Sequence, residues 1–250
     1  VLEIRLNTLD KFVDYFIIVE SKYNHKGEKR NLKFNLDKFQ KFEKKIIYVV
    51  HDDVPKEIRE IEKNDSENDK STKYILNAIL RENSQRNYIS KGLEIAEQDD
   101  FVLISDVDEI PNLSKTDFTK INKKILFFNQ KFFYYKLNLF QPEIIWVGTK
   151  GCRKKNLINP QWLRNIKDKI YPTWRLDTYF SKKKYSSIEI IKNGGWHFSN
   201  IKKANEIQHK LKSYLHHREF EEKPLSIKQI EDKIKSKESI YNLKVDKRSN

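Results

Sequence analysis

The stretch Phe101-Val102-Leu103-Ile104-Ser105-Asp106-Val107-Asp108-Glu109-Ile110-Pro111 runs four apolar residues into three carboxylates within four positions. An apolar run of this length reads as a buried strand and suits a parallel sheet covered on both faces. Pro111 then bars a regular strand or helix interior from continuing. Acid is therefore gathered where a central strand ends, and in open α/β sheets ligands sit outside the carboxyl ends of the strands. Asp106 and Asp108 are two apart, so on an extended chain they share a face and repel each other unless a cation lies between them. Hard oxygen donors of this kind suit Mg²⁺ or Mn²⁺, with substrate phosphates completing the shell. The other reading is an acidic turn at a strand end, because Asp-x-Asp alone is a weak motif.

Upstream, Leu2, Leu6, Leu9 and Val13 have helical spacing, and residues 15–19 read as a buried strand that ends at Glu20 and Ser21. A polar loop over 22–30 follows, then a short charged helix over 35–45 and a strand over 46–50 that ends at His51-Asp52-Asp53. Residues 56–71 lack an apolar period and read as a surface loop or frayed helix, the stretch best suited to disorder. Residues 72–97 read as one long helix, weakened at Gly92, with Arg81, Arg86 and Asn87 placed to reach a nucleotide or to stay solvated. Helix, strand, helix, strand, helix, strand is the order of a doubly wound α/β half.

Beyond Pro111 the pattern becomes aromatic. Residues 125–128 and 132–140 read as strands of a hairpin turned at Asn129-Gln130-Lys131, and 143–147 as a further strand. Gly148-Thr149-Lys150-Gly151 reads as a flexible loop. Trp146, Trp162 and Trp174 offer flat faces for sugar rings, or form aromatic core. After a strand over 188–191, Asn193-Gly194-Gly195-Trp196-His197-Phe198-Ser199 combines glycines that permit positive φ with a histidine that can line a site. His216, His217 and Glu219 fall on or near a basic helix over about 203–220, and Ile227, Ile230 and Ile234 mark a C-terminal helix over 225–243.

The 250 residues are 38% hydrophobic and 12% aromatic, enough for a sizeable core in one continuous domain over 1–250. It divides at the change of pattern into 1–111, 112–220 and a helical tail over 221–250. The net charge of +14 favours an anionic partner, whether nucleotide, phospholipid surface or nucleic acid, over an acidic one. A solvated basic surface accounts for it equally. Cys152 is the single cysteine, which excludes an intrachain disulfide and a thiolate metal cluster and fits a reducing compartment. No apolar run reaches the roughly 20 residues of a membrane span, and no signal-peptide pattern is present. A cytoplasmic protein, peripheral at a membrane, is the expected setting. The sequence opens at Val1 inside a helical pattern and contains no Met, so a preceding N-terminal piece is expected.

Several segments together resemble glycosyltransferase family 17, the family of the bisecting N-acetylglucosaminyltransferases. They are Asp14-Tyr15-Phe16-Ile17-Ile18-Val19-Glu20-Ser21, Gly27-Glu28 with Leu32-Lys33-Phe34, and Gln85-Arg86-Asn87. They continue with Ser105-Asp106-Val107-Asp108-Glu109-Ile110-Pro111, Trp146-Val147-Gly148-Thr149 and Gly194-Gly195-Trp196-His197-Phe198-Ser199. The ordered set spans about 1–220 and is far more specific than the Asp-x-Asp alone.

The resemblance implies an α/β, GT-A-like fold with a mostly parallel central sheet flanked by helices and an antiparallel, aromatic-rich part in the second half. It implies transfer of N-acetylglucosamine from UDP-N-acetylglucosamine to a glycan acceptor, with inversion to a β-linkage and a Mn²⁺ or Mg²⁺ cofactor. Asp106 and Asp108 are the implied metal pair, His197 completes the metal or pyrophosphate site, and Asp106, Glu20, Arg86 and Asn87 meet the nucleotide sugar. A general base must also take the acceptor proton. The resemblance makes 1–111 the nucleotide-binding half and 112–220 the acceptor half; Glu109 is the candidate nearest the metal pair, with Asp177 and Glu219 in the acceptor half. Two rivals stand beside this reading. A haloacid-dehalogenase-type phosphatase also sets Asp-x-Asp after an apolar strand, but there the motif opens the domain and the position of Glu109 holds Thr or Val. A basic nucleic-acid-binding module needs clustered charge with stacking aromatics, whereas this charge is spread along the chain, so no nucleic acid is expected.

Overall fold

The protein is described here by a computed structural model that covers residues 1–213, 220–221 and 223–240. His216, His217 and Glu219 lie outside the described residues. In chain order the first elements are α1 (Leu2–Leu9), β1 (Phe16–Ser21), β2 (Ile46–His51), α2 (Glu67–Asn87), β3 (Phe101–Ile104) and β4 (Glu109–Pro111). Then come β5 (Ile125–Tyr134), β6 (Phe140–Arg153), α3 (Pro160–Asn165), α4 (Asp177–Phe180), β7 (Ile188–Ile191) and β8 (Gly195–Ser199). Helices α5 (Ala204–Ser213) and α6 (Ile227–Ser236) close the series. The described residues divide into two compact units, one built from 1–16 and 93–201 and the other from 17–92 with 202–213, 220–221 and 223–240.

The first unit holds a six-stranded sheet in the order β3-β6-β5-β8-β4, with β7 also on β5. The apolar run Ile125-Leu126-Phe127-Phe128 lies at its centre and is at most 1% exposed. Strand β5 pairs antiparallel with β6 along one edge; its other edge takes β7 and then β8, both parallel. Strands β3 on β6 and β4 on β8 are antiparallel. The sheet is therefore mixed, and the fold is mixed α/β rather than built on a mostly parallel sheet. Strand β3, expected between parallel neighbours, pairs antiparallel with β6 instead. Only its alternate residues Val102 and Ile104 are buried, the pattern of a strand covered on one face.

Two further stretches form strand where the sequence suggests turn or loop. Asn129-Gln130-Lys131 is no turn but the middle of β5, where buried Gln130 donates to Thr149 Oγ1 at 3.2 Å. The chain reverses instead over 135–139, with Tyr135 at φ 63° and Tyr134 N donating to Leu139 O. Gly148-Thr149-Lys150-Gly151 is no loop but the buried end of β6. Its glycines permit close packing: a Cβ on Gly151 would stand 2.5 Å from Leu103 Cδ2.

In the second unit β1 and β2 form a two-stranded sheet. Helix α2 starts five residues earlier than its apolar stripe suggests, because Ser66 caps it by accepting from Asp69 N at 3.1 Å. It gives way at Tyr88 to a tighter 3₁₀ segment, Tyr88–Leu93, in which Gly92 approaches Ile17 too closely for any side chain. The charged helix expected over 35–45 is also a 3₁₀ segment, kinked at Phe39. Helices α5 and α6 pack together through buried Ile207, Leu211 and Ile230, and Ser226 with Gln229 forms a capping box on α6.

Candidate active site

In the first unit β3 ends at Ile104 and the chain turns through 105–108 before β4. Asp106 and Asp108 therefore stand on a turn, not on the extended backbone their spacing suggested. The turn is closed reciprocally: Asp106 N donates to Glu109 Oε2 at 2.9 Å, and Glu109 N donates to Asp106 O at 3.0 Å. Phe198 N donates to Asp108 O at 2.9 Å, so β8 holds the other side.

Glu109 is fully buried. Arg164, on α3, grips it with both arms of its guanidinium, each at 2.9 Å, and Trp146 Nε1 donates to Glu109 Oε1 at 2.8 Å. Arg164 also reaches Asp106 Oδ2 at 3.2 Å and the Gly148 carbonyl. Burial works against the charge on Arg164, but Glu109 and Asp106 outweigh it and hold its pKa above the ordinary value. Arg5, on α1, donates to the Glu109 carbonyl. Burial lowers its pKa, while Glu109, Asp106 and Asp108 pull the other way.

Trp146 joins this anchor to the histidine. Its indole stacks on the His197 ring at 4.6 Å and 10°, and Phe132 packs on the same ring at 4.8 Å. His197 Nε2 stands 3.6 Å from Asp108 Oδ1. His197 Nδ1 is buried without a hydrogen-bond partner among the described residues. Asp106 keeps 44% of its side chain exposed and Asp108 24%. The structure thus brings Asp106, Asp108, Glu109 and His197 to one turn. Arg164 pairs with Glu109 and Asp106, and Asp108 stands beside His197.

A third cation holds the chain at Arg164 in place. Lys150, buried on β6, donates to the carbonyls of Arg164 and Ile166 at 3.0 and 2.6 Å and pairs with Asp168 at 2.6 Å. A positive charge at the last carbonyls of α3 is favourable for the helix, and burial lowers the Lys150 pKa. Trp146 lay inside a segment that the sequence singled out. Arg5 and Arg164 lay in none, Lys150 fell in the stretch read as a flexible loop, and the partners of all three lie too far along the chain for spacing to find.

Glu20, Arg86 and Asn87 belong to the second unit. Glu20 accepts from the backbone of Lys33 and Phe34 at 2.8 and 2.9 Å and from Tyr48 Oη at 3.1 Å. Burial, with Glu20 beside it, pushes the Tyr48 phenol up to about 12. Arg86 pairs with Glu82 one turn back at 2.7 Å.

Among the described residues no three His, Cys, Asp or Glu side chains form a metal-binding group, and no helix is long and apolar enough to cross a membrane. Asp108 and His197 nonetheless fit a divalent cation as two of its donors, because such ions take much of their shell from substrate phosphates.

An acidic turn at a strand end, flanked by a stacked histidine, thus stands in a mixed α/β fold. The sequence profile of glycosyltransferase family 17 matches residues 1–248. The chain belongs to that family and is a glycosyltransferase, which replaces the phosphatase reading. Neither the curated proteins nor the solved structures compared with the chain include a match.

Proposed function

We propose that this glycosyltransferase moves N-acetylglucosamine from UDP-N-acetylglucosamine to a glycan acceptor, inverting the anomeric centre to a β-linkage. The observation that carries the reading is the partly exposed carboxylate of Asp106 on the same turn as the Asp108–His197 pair. Asp108 and His197 would hold Mn²⁺ or Mg²⁺, whose contribution is Lewis-acid neutralisation of the diphosphate leaving group. Asp106 then orients the donor through ribose or water, while Arg164 keeps its carboxylate in place.

The base needs a free lone pair at the acceptor hydroxyl. Glu109 spends both oxygens on Trp146, Arg164 and the Asp106 amide, which supports a positioning part for it. Asp177 is bound by Arg175 and Lys184 and held near 2, which makes it a weak proton acceptor. Calorimetric titration with UDP-N-acetylglucosamine, UDP-glucose and UDP-galactose, with and without Mn²⁺, tests donor and metal together. The expected result is metal-dependent binding of the first alone, lost in Asp106→Ala. Binding of none of the three, or equal binding without metal, would overturn the donor site.

A further inference from the structure

Residues 167–185, between α3 and β7, form a loop clasped at its base. Lys167 N donates to Lys183 O at 2.8 Å, Tyr171 N to Tyr185 O at 3.3 Å, and Trp162 Nε1 to Lys182 O at 2.8 Å. Tyr171 and Trp162 are buried, which fixes the loop to the first unit. At its tip the arrangement reverses: Trp174 is 77% exposed, Leu176 76% and Phe180 89%. Solitary exposed apolar side chains are ordinary, but three large ones within seven positions, on a loop held firmly below, concentrate exposed apolar area at its tip. Six Lys and Arg accompany them against two acids, a local net of +4. Both acids are already engaged, Asp168 by Lys150 and Asp177 by Arg175 and Lys184. Lys167, Lys182 and Lys183 have no acidic partner among the described residues.

We propose that this loop docks the protein on an anionic lipid surface, with Trp174, Leu176 and Phe180 entering the headgroup boundary and the lysines meeting lipid phosphates. Apolar side chains backed by Lys and Arg are the composition of an interfacial anchor, whose strength adds buried apolar area to attraction for anionic lipid. Aromatic and cationic side chains also settle naturally at the headgroup level. A sugar-binding platform fits the loop less well. Sugar hydroxyls are recognised by carboxylates and amides, yet residues 167–185 contain no Asn, Gln or Glu, and both Asp residues are spent. Leu176 and Phe180 carry no polar handle for a glycan.

The test is cosedimentation of the full chain with vesicles of mixed phosphatidylcholine and phosphatidylglycerol, against phosphatidylcholine alone, at low and high salt. The expected result is binding to the anionic vesicles only, weakened by salt. The triple change Trp174→Ser, Leu176→Ser, Phe180→Ser and the pair Lys182→Glu, Lys183→Glu should each weaken it at least about tenfold. Donor binding by both variants should stay unchanged, which shows that they fold. In the wild type, brominated lipid should quench tryptophan emission, and Trp174→Phe should remove that quenching. No binding to anionic vesicles, equal binding to neutral ones, or wild-type binding by the triple variant would overturn the proposal. So would a triple variant that keeps vesicle binding but loses acceptor affinity, since the loop would then be a glycan platform.

Discussion

Glu109 is charged, fully buried, and accepts four hydrogen bonds from Trp146, Arg164 and the Asp106 amide. A buried carboxylate is tolerable only with such compensation, and removing one partner leaves an uncompensated charge. Arg164→Ala is therefore expected to destabilise the fold by about 3–5 kcal/mol in urea unfolding. Arg164→Lys restores the charge but not the two-armed fork, so it should recover stability partly and donor affinity less. Glu109→Gln separates two roles. A positioning residue loses about 1–3 kcal/mol of stability together with turnover, because the amide presents donors to Arg164. A pure base loses turnover alone, and that outcome in paired unfolding and kinetic measurements would return the proton transfer to Glu109. His51 makes a pH prediction in the second unit. Its ring lies between Ser21 Oγ at 3.0 Å and Ser84 Oγ at 2.9 Å, and burial lowers its pKa below 6.5. As pH falls through 6.5 and toward that depressed value, the unfolded chain takes up a proton that the folded chain refuses. Stability contributed here is complete above 6.5 and declines below it. Urea midpoints of the wild type should fall between neutral and acidic buffer, and His51→Gln should fall less.

At the scale of elements, the pairing of β4 with β8 is what brings the acidic turn to the histidine, since Glu109 and His197 are register partners. The pairing depends on Gly195, whose φ of 131° is rarely open to other residues, and whose Cβ would meet the Ile110 carbonyl and lie 2.8 Å from Asn112 N. Gly195→Ala should cost about 1–3 kcal/mol and lower activity with it, read by unfolding and initial rates. Gly194-Gly195 was visible in the sequence as a place for unusual backbone, and the apolar runs of β1, β2, β3 and β7 were visible as strands. The long β5–β6 pair was not. Asn129-Gln130-Lys131 has turn chemistry by composition, but Gln130 finds Thr149 across the sheet and its polarity is absorbed there. The actual reversal uses Tyr135 at positive φ, a residue type that gives no turn signal. Glycines 148 and 151 announce flexibility by type, yet each is pressed against a neighbour, Gln130 for one and Leu103 for the other. Of the site, the acids and His197 were legible because they cluster around strand ends. Arg164 was not, because its bond to Glu109 spans 55 residues and depends on how Lys150 holds the end of α3.

At the scale of the whole molecule, the +14 charge attracts any anion and therefore cannot by itself show that a nucleotide sugar is recognised. Metal dependence can. Diffuse attraction between an exposed basic surface and a diphosphate is screened within about 10 Å at 0.1 M salt and needs no divalent ion. A donor seated on Asp106, Asp108 and His197 meets carboxylates that repel its phosphates, so it needs a cation between them. The two cases differ in their effect on folding stability, because a ligand that binds only the native state raises it by RT ln(1 + [L]/Kd). UDP-N-acetylglucosamine with Mn²⁺, at about a hundred times its Kd, should raise the unfolding free energy by about 2.7 kcal/mol. Donor without metal should give little, and UDP-galactose with metal little more. Asp108→Ala should abolish both transfer and this stabilisation while the unliganded variant unfolds close to the wild type, since Asp108 is partly exposed and carries none of the Glu109 anchor. Thermal and urea unfolding across the four conditions supply the measurement. Stabilisation that survives in Asp108→Ala, or that appears without metal and fades with salt alone, would place the donor on the basic surface and away from the acidic turn.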